Sequence, residues 1–467
     1  MQYHTLPEGE CVGSGWHEIG GRTSVFREET MPGESFRFIH ASDFHLETPL
    51  GDLDQLPNSL RDAMATAPRD AAAAVFEAAL AENIDFLVLS GDLLHPVAAG
   101  PHGMSLLLDN FEKLHAAGTP VYWAAGIADD PKQWPEAVPL PPNVTLFPRD
   151  RALSVPYERA GRVVCHVVGR SSEGRASLHV PGFQTETTDE FTVAVGYGTA
   201  DASALSAGRH DYWALGGPHN HTEIEGVGGA GAFAPGSPQG RCLAENGAHG
   251  YLVVDVDADQ TARVRQVEAD RFRYARITID AAEIRAVGTL RNLIGQKIST
   301  LANENGGRHL LIAWDVTLTD PEMLSSVGDP HELLRQLRQD HGNGNPAAWT
   351  TRLTVRPPHT YPKSWRDEDT ILGDFLRAAE KFRKVASGGV SDIKPRSNVE
   401  SGSQGAVAKS GPMQLMPFTE EHAELSSTAT TLLGDVPAGD RDLTLDEATL
   451  LGVELLRGGK PSWGRKS

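Results

Sequence analysis

Phe38-Ile39-His40-Ala41-Ser42-Asp43-Phe44-His45-Leu46 decides the reading of this chain, because an apolar run ends abruptly in a loop carrying an acid and an imidazole two positions apart. The same design recurs in Leu87-Val88-Leu89-Ser90-Gly91-Asp92-Leu93-Leu94 and in Asp211-Tyr212-Trp213-Ala214-Leu215-Gly216-Gly217-Pro218-His219. Short continuous apolar runs suit buried strands of an α/β sheet, where chemistry collects in the loops beyond the strand ends. Hard carboxylates and imidazoles gathered at one sheet edge suit Mn²⁺, Fe²⁺ or Zn²⁺. Each loop alone is ordinary, since Asp and His are common at strand ends. The three together point to a metal.

Working outward, the pattern alternates. Strands are expected at 36–41, 86–90, 121–125, 144–147, 163–168, 191–195, 212–215 and 251–256, with helices at 70–81 and 105–116. The helix at 70–81 is read from Val75/Ala79 and Phe76/Leu80, paired at i, i+4. A second unit follows at 271–360, with strands at 275–279, 310–318 and 349–355 and helices at 290–301 and 332–339. A helical segment at 361–386 carries Ile371, Phe375 and Phe382 on one face. Residues 387–412 are Gly- and Ser-rich and read as a flexible linker. The tail at 413–467 offers one amphipathic helix near 445–456, started by a capping box of Thr444 and Glu447 and striped by Leu445, Ala448, Leu451 and Leu455. Residues 1–35 lack periodicity and read as a flexible tail, with Met31 as a natural start of the folded part.

Bulk properties narrow the class. At 467 residues, with 40% hydrophobic and 22% charged, the chain reads as globular with more than one domain. It has no apolar run of about 18 residues, so no membrane span is expected, and its first residues lack a secretory pattern. Three dispersed cysteines (Cys11, Cys165, Cys242) suit a reducing compartment and argue against a zinc–thiolate site, so a cytoplasmic location is expected. The net charge of −20 weighs against autonomous DNA binding, because Lys and Arg contacts to phosphate dominate that affinity.

The three segments, in this order, resemble the signature series of calcineurin-like phosphoesterases: D-x-H, G-D, G-N-H-D/E, a lone H, then G-H-x-H. The flanks 39–43 and 211–216, with Pro235-Gly236-Ser237-Pro238-Gln239-Gly240-Arg241, look like the SbcD-type repair exonucleases, especially their YhaO-like branch. The resemblance covers about 36–385. It implies an α/β fold: a layered metallophosphoesterase β-sandwich flanked by helices at 36–270, a small α+β capping domain at 271–360 and a C-terminal helical tail.

Carried over position by position, the resemblance implies one metal site made of Asp43, His45, Asp92 and His219. It also implies that the neighbouring site is degenerate. Positions given to ligands of a second ion read Ile127, Tyr197 and Gly217, and the general-acid position reads Ala128. Tyr197 reads as a space-filling aromatic, Asp129 as a loop-stabilising acid and His221 as a solvated loop histidine. The cofactor expected is one divalent ion, manganese foremost, with iron and zinc as alternatives. The implied function is a DNA-repair exonuclease-like subunit with attenuated phosphodiester hydrolysis. The alternatives are an active single-metal phosphoesterase on another phosphodiester and a non-catalytic scaffold. The implied partners are an SbcC-type coiled-coil ATPase and DNA reached through that complex, without a membrane; a homodimer stays open.

Overall fold

The computed structural model describes residues 33–387, apart from 52, 54–55, 185–187, 288, 319–326, 328 and 357–362, and then 444, 445, 448, 449, 452, 453 and 456. The expected flexible tail at 1–35 falls almost wholly outside the described residues, as do the linker and most of 413–467.

Among the described residues, fifteen strands form three sheets. The first holds β1 (Phe36–Ala41), β2 (Phe86–Leu89), β3 (Val121–Trp123), β4 (Val144–Leu146), β11 (Gly250–Val256) and β12 (Ala262–Glu268), in the order β12-β11-β1-β2-β3-β4. The second holds β5 (Leu153–Arg159), β6 (Arg162–Arg170), β7 (Phe191–Tyr197), β8 (Tyr212–Gly216), β9 (Thr222–Ile224) and β10 (Gly231–Ala234), in the order β5-β6-β7-β8-β10-β9. In the third, β13 (Phe272–Asp280), β14 (His309–Thr317) and β15 (Ala348–Arg356) run parallel in chain order. Parallel neighbours need long crossovers, which the helices Leu290–Glu304 and Pro330–His341 supply.

The layering follows from the period of two along each strand. In β1, Phe36 and Phe38 point between the two large sheets, while Ile39 and Ala41 face the helices Asn58–Ala81 and Gly100–Ala116. β2 does the same, with Phe86 and Val88 inward and Leu87 and Leu89 toward the helices. In β8, Tyr212 and Ala214 complete the inter-sheet core, while Trp213 and Leu215 pack under Val180 and Phe183 on the outer face. The fold is therefore the expected α/β sandwich flanked by helices.

Several elements differ from the sequence reading. The helix expected at 70–81 begins twelve residues earlier, as Asn58–Ala81, and carries Pro68 in its interior. Proline removes a helical donor and ordinarily marks a break. Here Leu60, Met64 and Ala67 are held against Phe272, Tyr274, Leu311 and Trp349, so tertiary burial sustains the first turns. β5, β9, β10 and β12 lack long apolar runs and escape sequence reading. β5 and β12 are edge strands with largely exposed residues, and β5 contains Pro156. In the tail, Leu445 and Val453 are buried, and Gly452 lies so close to the ring of Phe375 that a Cβ there would clash. The described tail residue Gly452 thus packs on the helix Ile371–Ser387. Among the described residues no helix is long and apolar enough to cross a membrane.

Candidate metal centre

β1 and β2 run parallel, with Ala41 beside Leu89, so their C-terminal ends share one edge. The loops that follow are zipped together by backbone hydrogen bonds: Asp43 N donates to Gly91 O at 2.9 Å, and His45 N donates to Asp92 O at 3.1 Å. From the facing sheet, the register of β7 and β8 sets Tyr197 beside Gly216, and His219 follows two residues beyond Gly217.

The backbone at this edge is strained. Asp43, His45 and Asp92 have φ of 55°, 43° and 52°, three of seven described non-glycine residues in the left-handed region. Each such residue costs about 1–3 kcal/mol, and they persist where the surroundings over-determine them, commonly at functional sites.

Asp43, His45 and His219 each offer a ligand atom within 4.8 Å of the others. Nε2 of His45 and Nε2 of His219 both lie 3.9 Å from Asp43 Oδ1. Asp92 stands at the side of this trio, its Oδ2 3.6 Å from His45 Nε2. Asp43 is fully buried, and burial, reinforced by Asp92, pushes its carboxyl up to about 6 against the hydrogen bonds from the Gly217 N–H. Paired buried carboxylates call for a cation.

Two glutamates that sequence reading did not single out orient the rings. His219 Nδ1 lies 2.8 Å from Glu245 Oε1, and His45 Nδ1 lies 3.4 Å from Glu47 Oε1. A carboxylate at neutral pH only accepts, so Glu47 favours the ring proton on His45 Nδ1 and leaves the lone pair on His45 Nε2. Arg241 Nη2 also lies 2.7 Å from His219 Nδ1, and it bonds Glu245 Oε1 at 3.1 Å. Burial of Glu245 is outweighed by its bond from His219 and by the Arg241 charge, which hold its carboxyl down at about 2. Ser237, in the 235–241 stretch, donates from its backbone N to His219 O at 2.9 Å and so braces the ligand loop.

The test of fit for a divalent ion is an orphan. Among the described residues, His45 Nε2 is buried with no hydrogen-bond partner, facing Asp43 and Asp92. Two oriented imidazoles and a buried carboxylate leave coordination positions open, as catalytic ions require. The residues present therefore fit one ion. We expect Glu245→Gln to weaken Mn²⁺ binding by about 10- to 100-fold, the usual scale for losing a carboxylate behind a ligating histidine. Calorimetric titration would show it, and unchanged affinity would remove Glu245 from the site.

The positions read as lost second-site ligands take other roles. Ile127 is 45% exposed. Gly217 sits at φ 108° and its N–H donates to both Asp43 oxygens, at 3.2 and 2.9 Å. Tyr197, read as space-filling, is buried and also donates from its hydroxyl to Asp92 Oδ2 at 2.6 Å. Burial, and then Asp92 itself, push this phenol up, so it stays a protonated donor. Asp92 Oδ1 accepts from the Ala128 N–H at 2.7 Å. Both oxygens of Asp92 are thus engaged by residues at degenerate positions.

Neighbouring polar residues are structural. Asp129 accepts from the backbone of Asp92, Leu93 and Gly126 and from Trp123 Nε1, a four-donor cradle that fixes the loop. Burial and Asp92 nonetheless push its carboxyl up to about 7. His40 bridges Tyr212 and Ser90 inside the core, and His221 Nδ1 lies 3.0 Å from Ala234 O.

No family model matches the chain. It is similar to the uncharacterized metallophosphoesterase YhaO of Bacillus subtilis (strain 168), with 25% identity over 342 residues that cover 68% of this chain and 80% of that protein. With the fold and the Asp43–His45–His219 cluster, this likeness supports the calcineurin-like metallophosphoesterase family.

Proposed function

We propose that this chain is a metal-dependent phosphoesterase built around one divalent ion, with phosphodiester hydrolysis attenuated by the loss of a second ion site. The observation that carries the reading is the shared orientation of His45 and His219. Each holds its Nδ1 on a glutamate and turns its Nε2 toward Asp43. Asp43, His45 and His219 would hold the ion, with Asp92 at its flank. A bound ion of this kind polarises a phosphoryl oxygen and acidifies water.

The chain's own residues account for the attenuation. Ala128 supplies a backbone N–H but no side-chain proton donor, and a missing general acid or base costs about 10²–10⁴ in rate. Tyr197 engages Asp92, one of the four residues that the resemblance gives to the metal site. Two-metal enzymes clamp both the attacking and the leaving oxygen, and one ion forgoes half of that clamp.

In the finer reading the protein is a DNA-repair exonuclease-like subunit in the cytoplasm. It reaches DNA through a coiled-coil ATPase of the SbcC type, manganese is its ion, and 271–360 acts as the capping domain. The charge of −20 supports dependence on a partner for gripping DNA. Purified protein should contain about one divalent ion per chain and should degrade linear DNA with Mn²⁺ only slowly. Rapid degradation by the chain alone would refute the attenuation. Protein that takes up no ion would leave only the scaffold reading.

A further inference from the structure

Beside Tyr197 lies a cavity of about 480 Å³, outside the Asp43–His45–His219 trio. Its walls belong to the segment after β6 and to the end of β7. Ser171 and Ser172 tie the segment to the end of β3, where Ala125 N donates to Ser171 Oγ at 2.9 Å and Ser172 N donates to Ala125 O at 2.8 Å. The opposite wall is pinned by backbone bonds from Leu178 N to Thr199 O at 3.0 Å and from Thr199 N to Ala176 O at 2.9 Å. The cavity is therefore preformed.

Its lining is chemically mixed. Arg170 is only 10% exposed and is held by Arg149 O and by Glu173, its guanidinium resting where Gly182 has no side chain to obstruct it. Arg175 and His179 are exposed at the mouth, and among the described residues neither side chain has a hydrogen-bond or ion-pair partner. Asp150, also exposed, offers an acceptor, while Leu178 and Phe183 give an apolar floor. Cations for a phosphate, an acceptor for hydroxyl or amino donors and an apolar floor for a base match the parts of one nucleotide. The volume lies in the range of small-ligand sites. The Tyr197 ring lines the cavity and its hydroxyl reaches Asp92, so an occupant would lie directly against the metal centre.

We propose that this cavity seats one nucleoside monophosphate unit, with the phosphate on Arg175 and His179, next to the phosphoryl group to be cleaved. The proposal deepens the phosphoesterase reading and rests on it. The unit can come from a free nucleotide or from the end of a strand.

The test is equilibrium binding of two probes, 5′-AMP and a 5′-phosphorylated tetranucleotide, to the full chain in EDTA. Wild type, Arg175→Ala and His179→Ala are compared, each checked for an unchanged melting temperature. We expect each cavity variant to bind about 10- to 100-fold more weakly than wild type, the scale of one charge-assisted hydrogen bond. Tighter binding of the tetranucleotide supports the cavity and assigns it to strand ends; preference for 5′-AMP supports it as a free-nucleotide site. No binding of either probe, or binding that Arg175→Ala and His179→Ala leave intact, overturns the proposal. Because the assay needs neither ion nor turnover, such a failure leaves the metal reading standing. Loss of ion uptake by wild type would instead sink that reading without touching the binding result.

Discussion

A triple variant, Ile127→Asn, Ala128→His and Tyr197→His, should take up a second divalent ion and hydrolyse a phosphodiester about 10²–10⁴ times faster than wild type. Three features make these substitutions feasible. Ile127 is already 45% exposed, so an amide there gives up little burial. Ala128 touches Asp92 through its backbone N–H, which a histidine retains. Tyr197→His removes the phenol from Asp92 Oδ2 and leaves a ring nitrogen on the same side of the site.

Gly217 should be left alone. At φ 108° a histidine would be strained by about 1–3 kcal/mol, and the Gly217 N–H that holds Asp43 would shift with the backbone. We therefore expect the quadruple variant with Gly217→His to melt at a lower temperature than the triple. Elemental analysis together with turnover of a chromogenic phosphodiester decides the matter. If the triple variant still holds a single ion, the degenerate positions do not lie where a second ion would bind.

The second large effect concerns Asp43. Asp43→Asn should abolish stoichiometric metal uptake while keeping the fold, because the amide is nearly isosteric and one of its atoms can still accept the Gly217 N–H. Loss of the central carboxylate should weaken Mn²⁺ by at least about 100-fold, the upper end of what even an outer carboxylate contributes. A thermal-shift series separates this from simple damage. Wild type should gain about 2.7 kcal/mol of stability when Mn²⁺ is at 100 times its dissociation constant, and the variant should gain no more than about 0.4 kcal/mol at that concentration. Equal stabilisation of both proteins would show that the ion binds elsewhere.

Much of the sandwich was legible because its central strands are buried on both faces. β1, β2, β7, β8 and β11 appear in the sequence as apolar runs, and their residues are almost all buried. The outer strands β5, β9 and β12 were not legible, since a strand with exposed faces needs no such run. The helix Asn58–Ala81 was half legible. Its first turns are maintained by contacts with the third sheet, which no local signal announces.

The sequence by itself determined which side chains meet at the edge. Asp43, His45, Asp92 and His219 each follow an apolar strand within a few residues, and the strand carries its loop to a place fixed by sheet order. Tertiary structure alone decided what those side chains do. Glu245, 26 residues beyond His219, anchors its ring at Nδ1. Tyr197, 105 residues beyond Asp92, places a hydroxyl on that acid. The wall beside it closes a cavity against the metal centre. Hydrogen-bond partnership across two sheets depends on register and sheet spacing to fractions of an ångström. Distance along the chain carries no record of either.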